Sequence, residues 1–265
     1  MAIHIGNAHL RLRIGDGGEA LDFRHVRSDT PACVLGAPFA RIRRNGRLFD
    51  ASSAAESGGC VRFAFGDSGI SADLKLTSFG RALKAEVVAL QGGEVEELVF
   101  LDLPLALTAE PDDPFSACAL ALNLRTKIPD LPGPSRRLRA SCYPRFGFAG
   151  AAAAIVVCPT ADLRAVIREV VDAASDLPRS SLWGPRALEA PINRGSYLFN
   201  FEALTEETVG DWIRLMKALG FTQLDFHGGK SFRFGDCLPN PAWYPHGRTS
   251  LKAVIDRLHA EGLLA

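Results

Sequence analysis

Two different rhythms of apolar residues divide the chain and constrain its fold more than any other feature. Up to about Pro159, short runs that roughly alternate between apolar and polar residues are separated by turn residues. From Gly195 onward the pattern becomes strand, helix, strand, helix. Many short strands with regular turns are typical of an antiparallel sandwich, whereas successive βα units indicate a parallel sheet. The sequence therefore predicts an antiparallel β-sandwich followed by an α/β segment.

The first region contains two hairpin signals. Asn45-Gly46 separates two short runs, and both central residues of a type I′ turn need the positive φ that Asn and Gly adopt readily. A second hairpin is predicted around the turn at 66–69. The predicted strands are 9–14, 41–44, 47–49, 61–65, 70–76, 82–90, 95–107, 117–125, 137–142 and 153–157.

A helix and a connector are predicted after the last of these strands. Residues 160–174 place apolar side chains at helical spacing, and Thr160 is the expected N-cap. Residues 176–194 are rich in Pro, Ser, Arg and Gly without a period, which is typical of a linker. The predicted domains are a β-sandwich at 1–175, a connector at 176–194 and an α/β domain at 195–265.

The α/β segment begins with a strand at 197–201. Thr205 is the expected cap of the next helix, which Gly220 ends. The predicted apolar face of this helix consists of Val209, Trp212, Ile213, Met216 and Leu219. A second strand is predicted at 222–226, a second helix at 250–260, and the start of a third strand at 263–265.

Charge and cysteine spacing exclude several classes of protein. The chain has 30 basic and 30 acidic side chains, so we predict no nucleic-acid and no membrane partner. No apolar run reaches the roughly 18 residues of a membrane span. The first residues show no signal peptide, so a cytoplasmic location is expected. The six cysteines form no Cys-x-x-Cys pair, and neither a metal site nor a cofactor is predicted.

Candidate binding residues follow the two predicted strands, because working residues in βα architectures lie at the carboxyl ends of strands and in the loops after them. Carboxylates can accept hydrogen bonds from sugar hydroxyls, and aromatic faces can pack on sugar rings. Each residue also has a structural interpretation: a loop brace for Asp225, an ion pair for Glu202, a loop-packing anchor for Trp243. The candidate substrate-binding residues are Asn200, Glu202, Asp225, His227, Lys230, Arg233, Asp236 and Trp243.

Five short motifs resemble those of the glycoside hydrolase clan that contains the α-galactosidases and raffinose-synthase-like proteins. Asn200-Phe201-Glu202-Ala203 stands where the first barrel strand of that clan often has Asn-Asn-Trp-Glu-Ala, and Leu219-Gly220 matches the end of its first helix. Leu224-Asp225-Phe226-His227-Gly228 corresponds to its Asp-Asp-Gly-Trp strand end. Gly235-Asp236 matches a Gly-Asp-Trp motif, and Tyr244-Pro245-His246-Gly247 is similar to Phe-Pro-Asn-Gly.

The resemblance implies a β-sandwich followed by the first two βα units of a (β/α)8 barrel, and a carbohydrate substrate. It also implies that Asp225 and Asp236 bind substrate and that the catalytic aspartates lie on later barrel strands, so it offers no catalytic position here. Phe201 and Cys237 replace tryptophans, and Asp225 stands beside Phe226 instead of a second carboxylate. These departures leave the sugar, the anomer and galactoside specificity open.

A barrel takes about 250 residues, and 195–265 holds only two βα units. We therefore expect the chain to be the amino-terminal fragment of a longer glycosidase-like protein, inactive as this fragment. Two alternatives remain open at this point. One is a non-catalytic carbohydrate-binding β-sandwich module, and the other is a polysaccharide lyase or sugar isomerase with a similar barrel start.

Overall fold

The computed structural model describes residues 2–108, 110, 113–129, 136–174, 176, 190–193, 195–202, 204–226 and 230–265. The chain divides into an amino-terminal unit, Met1–Pro178, and a carboxyl-terminal unit, Arg179–Ala265. Most of the predicted connector and the candidate residue His227 lie outside the described residues.

Strands are the main secondary structure in the described parts of the chain, and helices are few. The strands are β1 (Ile3–Gly6), β2 (Leu10–Ile14), β3 (Ala20–His25), β4 (Thr30–Pro31), β5 (Arg41–Arg44), β6 (Arg47–Asp50), β7 (Ser53–Ser57), β8 (Cys60–Ala64), β9 (Ser71–Phe79), β10 (Ala82–Gln91), β11 (Glu97–Pro104), β12 (Phe115–Ala121), β13 (Arg137–Cys142), β14 (Ala152–Pro159), β15 (Tyr197–Asn200) and β16 (Gln223–Phe226). The α-helices are α1 (Leu163–Ala173), α2 (Val209–Leu219) and α3 (Arg248–Ala260). In the described parts of the chain, none of these helices is long and apolar enough to cross a membrane.

The described residues of the amino-terminal unit form three antiparallel sheets, with strand orders β1-β2-β3-β4, β12-β14-β10-β9-β8-β7 and β13-β11-β5-β6. Apolar side chains from all three sheets share one core. Within it the rings of Phe39 and Phe63 stack with 5.6 Å between their centroids, the offset arrangement that aromatic pairs prefer. The prediction of an amino-terminal region built from antiparallel sheets, as in a β-sandwich, is confirmed.

Local turn chemistry sets the register of the predicted hairpins. Asn45 (φ 51°) and Gly46 (φ 71°) both adopt positive φ between the paired ends of β5 and β6. Val61 of β8 pairs with Leu74 of β9, as the second hairpin signal predicts. Register matters because a slip of one residue would turn the buried face of each strand to solvent.

Strand β14 is buried on both faces, so its sequence is apolar throughout rather than alternating. One set of side chains, including Ile155, enters the shared core, while the other set, including Val156, packs against Val166 and Val170 of α1. The helix therefore adds a third layer over the outer face of the six-stranded sheet. The predicted helix is confirmed, but the expected N-cap is wrong. Thr160 lies in a 3-10 turn and its Oγ1 donates to the Asp113 carbonyl (2.6 Å), so α1 begins three residues later.

On the outer face of the sheet β13-β11-β5-β6, two arginine side chains form ion pairs with a buried carboxylate. Asp102 is 1% exposed, and its two oxygens lie 2.9 Å from Arg41 Nε and 2.6 Å from Arg137 Nε. Glu97 on the same face accepts a hydrogen bond from the Tyr143 hydroxyl (2.8 Å). Buried charges persist only when they are paired, so these contacts make Asp102 a structural element of the sheet.

His25 is a buried titratable group at the end of β3. Its Nδ1 lies 2.9 Å from Ser28 Oγ, and its ring packs 5.4 Å from the Phe115 ring. Burial, followed by the positive charges of His9 and Arg27, holds the pKa of His25 below its ordinary value of 6.5. The folded protein therefore favours neutral His25 more strongly than the unfolded chain does.

This lowered pKa predicts a pH dependence of stability. The unfolded chain takes up a proton near pH 6.5 that folded His25 resists, so the free energy of unfolding should fall as the pH drops from about 7 to about 5. We expect His25→Gln to reduce this slope, because glutamine can still bond Ser28 and does not titrate. Urea unfolding followed by circular dichroism across that range measures it. His259→Gln, exposed on α3, is the control, and an unchanged slope in His25→Gln would contradict the prediction.

The carboxyl-terminal unit is built on a parallel pair of strands. Tyr197 to Asn200 of β15 pair in order with Gln223 to Phe226 of β16. Leu264 forms a further parallel bridge with Gln223 on the other side of β16, where a third strand is predicted. Helices α2 and α3 cover one face of this sheet through an apolar cluster that includes Ile213, Met216, Leu224, Val254 and Leu258.

Helix α2 differs from its prediction in its first residue and in one member of its apolar face. It begins at Val209 rather than directly after Thr205. Thr205 instead closes the preceding turn with reciprocal bonds: its N–H donates to Thr208 Oγ1 (2.9 Å), and its Oγ1 accepts from Thr208 N–H (3.2 Å). Gly220 ends the helix with φ 75°, as predicted, but Leu219 is exposed and does not belong to the apolar face.

Candidate functional site

The two parallel strands present different chemistry on their two faces. Leu198 and Leu224 pack towards α2 and α3, whereas Tyr197, Phe199 and Asp225 are exposed. Residues paired in register lie on the same face of a sheet, so Phe199 and Asp225 are side by side. This surface, which we call the Asp225 face, combines an aromatic ring with a carboxylate at the carboxyl ends of the strands.

Asn200 and Glu202 leave β15 in different environments. Asn200 is buried on the helix-covered side, and its Oδ1 accepts from the Glu202 N–H (2.7 Å). Among the described residues its Nδ2 has no hydrogen-bond partner. The exposed Glu202 carboxylate forms an ion pair with Lys230. The structure thus brings together two candidate residues, Glu202 and Lys230, that lie far apart in sequence.

Arg233 and Asp236 pair with each other in the long loop after β16. The two side chains form an ion pair, and Asp236 Oδ1 also accepts from the Leu238 N–H (3.0 Å). The Leu238 N–H bond, followed by the Arg233 guanidinium, lowers the pKa of Asp236. Asp236 is therefore an exposed carboxylate whose orientation is set by its own loop.

A cavity of about 730 Å³ in this unit opens beside Glu202. Two candidate residues, Glu202 and Trp243, lie in its wall, whereas Asp225, Lys230 and Asp236 do not. The lining residues are Glu202, Thr205, Glu206, Glu207, Thr208, Trp212, Ala242, Trp243, Pro245 and His246. We call this space the tryptophan cavity.

Sequence reasoning missed most of the tryptophan cavity. The sequence places Trp212 on the apolar face of α2, where one side of it does pack, and the predicted site includes neither Glu206 nor Glu207. The chain has three tryptophans, and two of them occur near the starts of consecutive helices. This placement of Trp212 and Trp243 is the one signal in the sequence that could have brought the two indoles together.

A buried tyrosine joins the two walls of the tryptophan cavity. Tyr244 is fully buried, and its hydroxyl donates to the Leu204 carbonyl (2.6 Å). Burial raises the pKa of Tyr244, so the hydroxyl stays protonated as a donor. The segment before α2 and the segment before α3 are thereby tied together, which separates the roles of adjacent aromatics: Tyr244 is the anchor and Trp243 lines the cavity.

Among the described residues, no group of three or more His, Cys, Asp or Glu side chains is arranged to hold a metal ion. The tryptophan cavity offers carboxylates, a histidine and aromatic rings to a ligand. They suit hydrogen bonding to hydroxyls and packing on an apolar ring face.

Comparison with known proteins gives structural neighbours only. The chain matches no protein-family model and no curated protein. An α-N-acetylgalactosaminidase from Bifidobacterium bifidum, in a complex with GalNAc, aligns over 99% of this chain and 57% of its own, at 13% identity and a TM-score of 0.57. An α-galactosidase from Lactobacillus brevis covers 99% and 53% at 12% identity and a TM-score of 0.43. An α-galactosidase from Thermus thermophilus, in complex with stachyose, covers 99% and 50% at 15% identity and a TM-score of 0.32.

These three neighbours are glycoside hydrolases, and the chain spans between 50% and 57% of their lengths. Only the first has a TM-score above 0.5, so the comparison of folds depends on it. At 13% identity it establishes a shared fold and nothing about the reaction.

Proposed function

We propose that the chain is the amino-terminal part of a glycoside hydrolase that acts on O-glycosidic bonds. In this proposal a β-sandwich domain (1–175) and a connector (176–194) precede the first two βα units of a (β/α)8 barrel (195–265). Asp225 and Asp236 belong to the wall that binds the sugar, with Asn200, Glu202, His227, Lys230, Arg233 and Trp243 around them. The catalytic carboxylates belong to later strands of the barrel.

The single observation that carries the proposal is the position of Asp225. It lies at the carboxyl end of a strand in a parallel pair, on the face that α2 and α3 leave exposed. In a (β/α)8 barrel the helices cover the outside of the strands, so the opposite face is the barrel interior and its carboxyl end holds the active site. An exposed carboxylate beside Phe199 at that point suits hydroxyl binding and packing on a sugar ring.

The similarity to the Bifidobacterium bifidum enzyme supports the same assignment. Its fold matches 99% of this chain, which includes both units, and the match occupies 57% of the enzyme. An amino-terminal part of a longer hydrolase would align in this way. The sugar and the anomer remain outside the proposal, because Phe201 and Cys237 stand where the resembling clan has tryptophans.

The proposal predicts how activity divides between this chain and a longer gene product. Residues 1–265 should hydrolyse no aryl glycoside at a measurable rate, because retaining or inverting hydrolysis needs two correctly spaced carboxyl groups across the bond. A product that includes the downstream coding sequence should hydrolyse at least one. In that product, Asp225→Asn should lower kcat/KM about tenfold to hundredfold, the range expected for a lost charge-assisted hydrogen bond.

Asp211→Asn is the matched control, because Asp211 is an exposed carboxylate on α2 that pairs with Arg214 on the same helix. It should leave kcat/KM unchanged. Hydrolysis by residues 1–265 alone, or a downstream sequence that encodes no further βα units, would disprove the proposed function.

A further inference from the structure

Most residues that line the tryptophan cavity, including Trp212, Glu206 and Glu207, have no role in the proposed function, and Asp225 does not line it. We propose that it is a second saccharide-binding site, which takes a neutral pyranose unit against the indoles of Trp212 and Trp243. This inference stands on the cavity's own chemistry and does not require that the chain belong to a hydrolase.

The size and the aromatic content of the cavity are those of a ligand site. Its volume of about 730 Å³ falls within the roughly 300–1,000 Å³ of small-molecule pockets. Trp243 is 44% exposed, although the loop that carries it is already anchored by the fully buried Tyr244. An indole that the fold does not need for packing and leaves open to solvent is available to cover the apolar face of a sugar ring.

The polar groups of the cavity are acceptors suited to hydroxyls. In the described part of the chain, the carboxylates of Glu206 and Glu207 have no ion-pair partner within 4.0 Å, in contrast to Glu202 with Lys230. Both precede α2, where the positive end of the helix dipole offsets part of their charge. The cavity therefore offers strong acceptors to the several hydroxyl donors of a pyranose, next to aromatic rings that suit its apolar face.

The walls of the cavity are fixed before any ligand arrives. The Thr205–Thr208 bonds hold the turn that carries Glu206 and Glu207, and Arg257 Nη1 donates to the Glu206 carbonyl (2.8 Å). The Tyr244–Leu204 bond joins this turn to the segment that carries Trp243. Such preorganisation reduces the entropy lost on binding.

The cavity and the Asp225 face can be separated by substitution. Asp225 belongs to the exposed face of the sheet and does not line the cavity, and neither Trp212 nor Trp243 belongs to that face. Glu206→Gln combined with Glu207→Gln therefore alters the cavity alone and Asp225→Asn the other site alone, while Trp243→Ala changes a residue named in both proposals. This separation distinguishes a failure of the present inference from a failure of the proposed function.

The test is a nuclear magnetic resonance titration of the ¹⁵N-labelled chain with maltose and with lactose, observed at the tryptophan indole N–H signals. Trp212→Phe and Trp243→Phe assign two of the signals. We expect both to move with one common Kd.

Trp243→Ala should raise that Kd about tenfold through the lost ring contact. Glu206→Gln combined with Glu207→Gln should also raise it about tenfold, because the amides are weaker acceptors. Phe146→Ala, an exposed aromatic in the other unit, and Asp225→Asn should leave it unchanged.

Three results would overturn the inference. The first is that neither indole signal moves at tens of millimolar of either disaccharide. The second is that glucosamine or spermidine moves them and the neutral sugars do not, which would assign the cavity to an organic cation. The third is that Asp225→Asn removes the shifts while Trp243→Ala and the double glutamine variant retain them. Absence of glycosidase activity in the longer gene product would leave these titrations unaffected.

Discussion

Replacing Tyr244 by alanine should destabilise the carboxyl-terminal unit by about 4 kcal/mol, within the range measured for large aromatic-to-alanine changes in cores. Tyr244 is the largest fully buried side chain of the unit, and its hydroxyl bonds the Leu204 carbonyl (2.6 Å). The substitution would leave both a cavity and an unpaired buried carbonyl. Since whole domains are stable by only about 5–15 kcal/mol, the variant should lose a large fraction of this unit's free energy of unfolding.

Tryptophan fluorescence during urea unfolding measures this change selectively. The three tryptophans, at positions 183, 212 and 243, all belong to the carboxyl-terminal unit. Tyr244→Phe keeps the ring and should cost only about 1 kcal/mol, the net value of one hydrogen bond. Trp243→Ala is the matched neighbour: its exposed side chain should contribute little to stability. Equal urea midpoints for Tyr244→Ala and Trp243→Ala would refute the assignment of Tyr244 as the anchor.

Replacing Asp102 by alanine should destabilise the amino-terminal unit by about 3 kcal/mol, at the lower end of the cost of breaking a buried ion pair. The substitution strands the guanidinium groups of Arg41 and Arg137, which lie 2.9 Å and 2.6 Å from its carboxylate. Both arginines are partly exposed, so water can hydrate them again, and this limits the effect. The same positive charges would then repel each other across the sheet.

Protection of Cys142 against thiol labelling reports this loss. Cys142 is fully buried in β13, and burial raises the pKa of its thiol to about 12, so labelling requires opening of the sheet. A loss of about 3 kcal/mol corresponds to labelling roughly a hundredfold faster. Asp50→Ala is the control, because Asp50 pairs with the same Arg41 (3.2 Å) but is 53% exposed. It should change the labelling rate by less than about threefold, and equal effects of the two substitutions would contradict the prediction.

Local chemistry explains which strands could be predicted from the sequence. The Asn45-Gly46 turn and the glycine-rich turn at 66–69 mark their hairpins within a few residues, and both hairpins form as predicted. Strand β7 (Ser53–Ser57) was missed because its small and polar side chains show no apolar alternation; its pairing with β8 decides its conformation. Strand β3 was missed because charged side chains interrupt its apolar positions, and those charges are accommodated in pairs such as Arg24 with Asp22.

From the sequence alone, the candidate site could be predicted only for residues that directly follow the two parallel strands. The rule that functional groups follow parallel strands selected Glu202 and Asp225, and it led to Trp243 through the loop after β16. It did not select Trp212, Glu206 or His246, because these residues meet Trp243 only after the Tyr244–Leu204 contact forms across forty positions of sequence. Spacing in sequence carries no information about such a contact. The pairing of Glu202 with Lys230 was equally hidden, since ion pairs between loops follow from tertiary packing.

The parallel bridge between Gln223 and Leu264 also affects the order in which parts of the chain fold. The hairpins of the amino-terminal unit close over a few residues, so their ends meet quickly and at little entropic cost. Gln223 must instead wait for the whole proline-rich loop and α3 before its partner is in place. Sheets that depend on distant partners form slowly. During synthesis the amino-terminal sheets can therefore be complete while the Leu264 edge of β16 is still unpaired, and the backbone of that edge remains available to other chains for as long as that interval lasts.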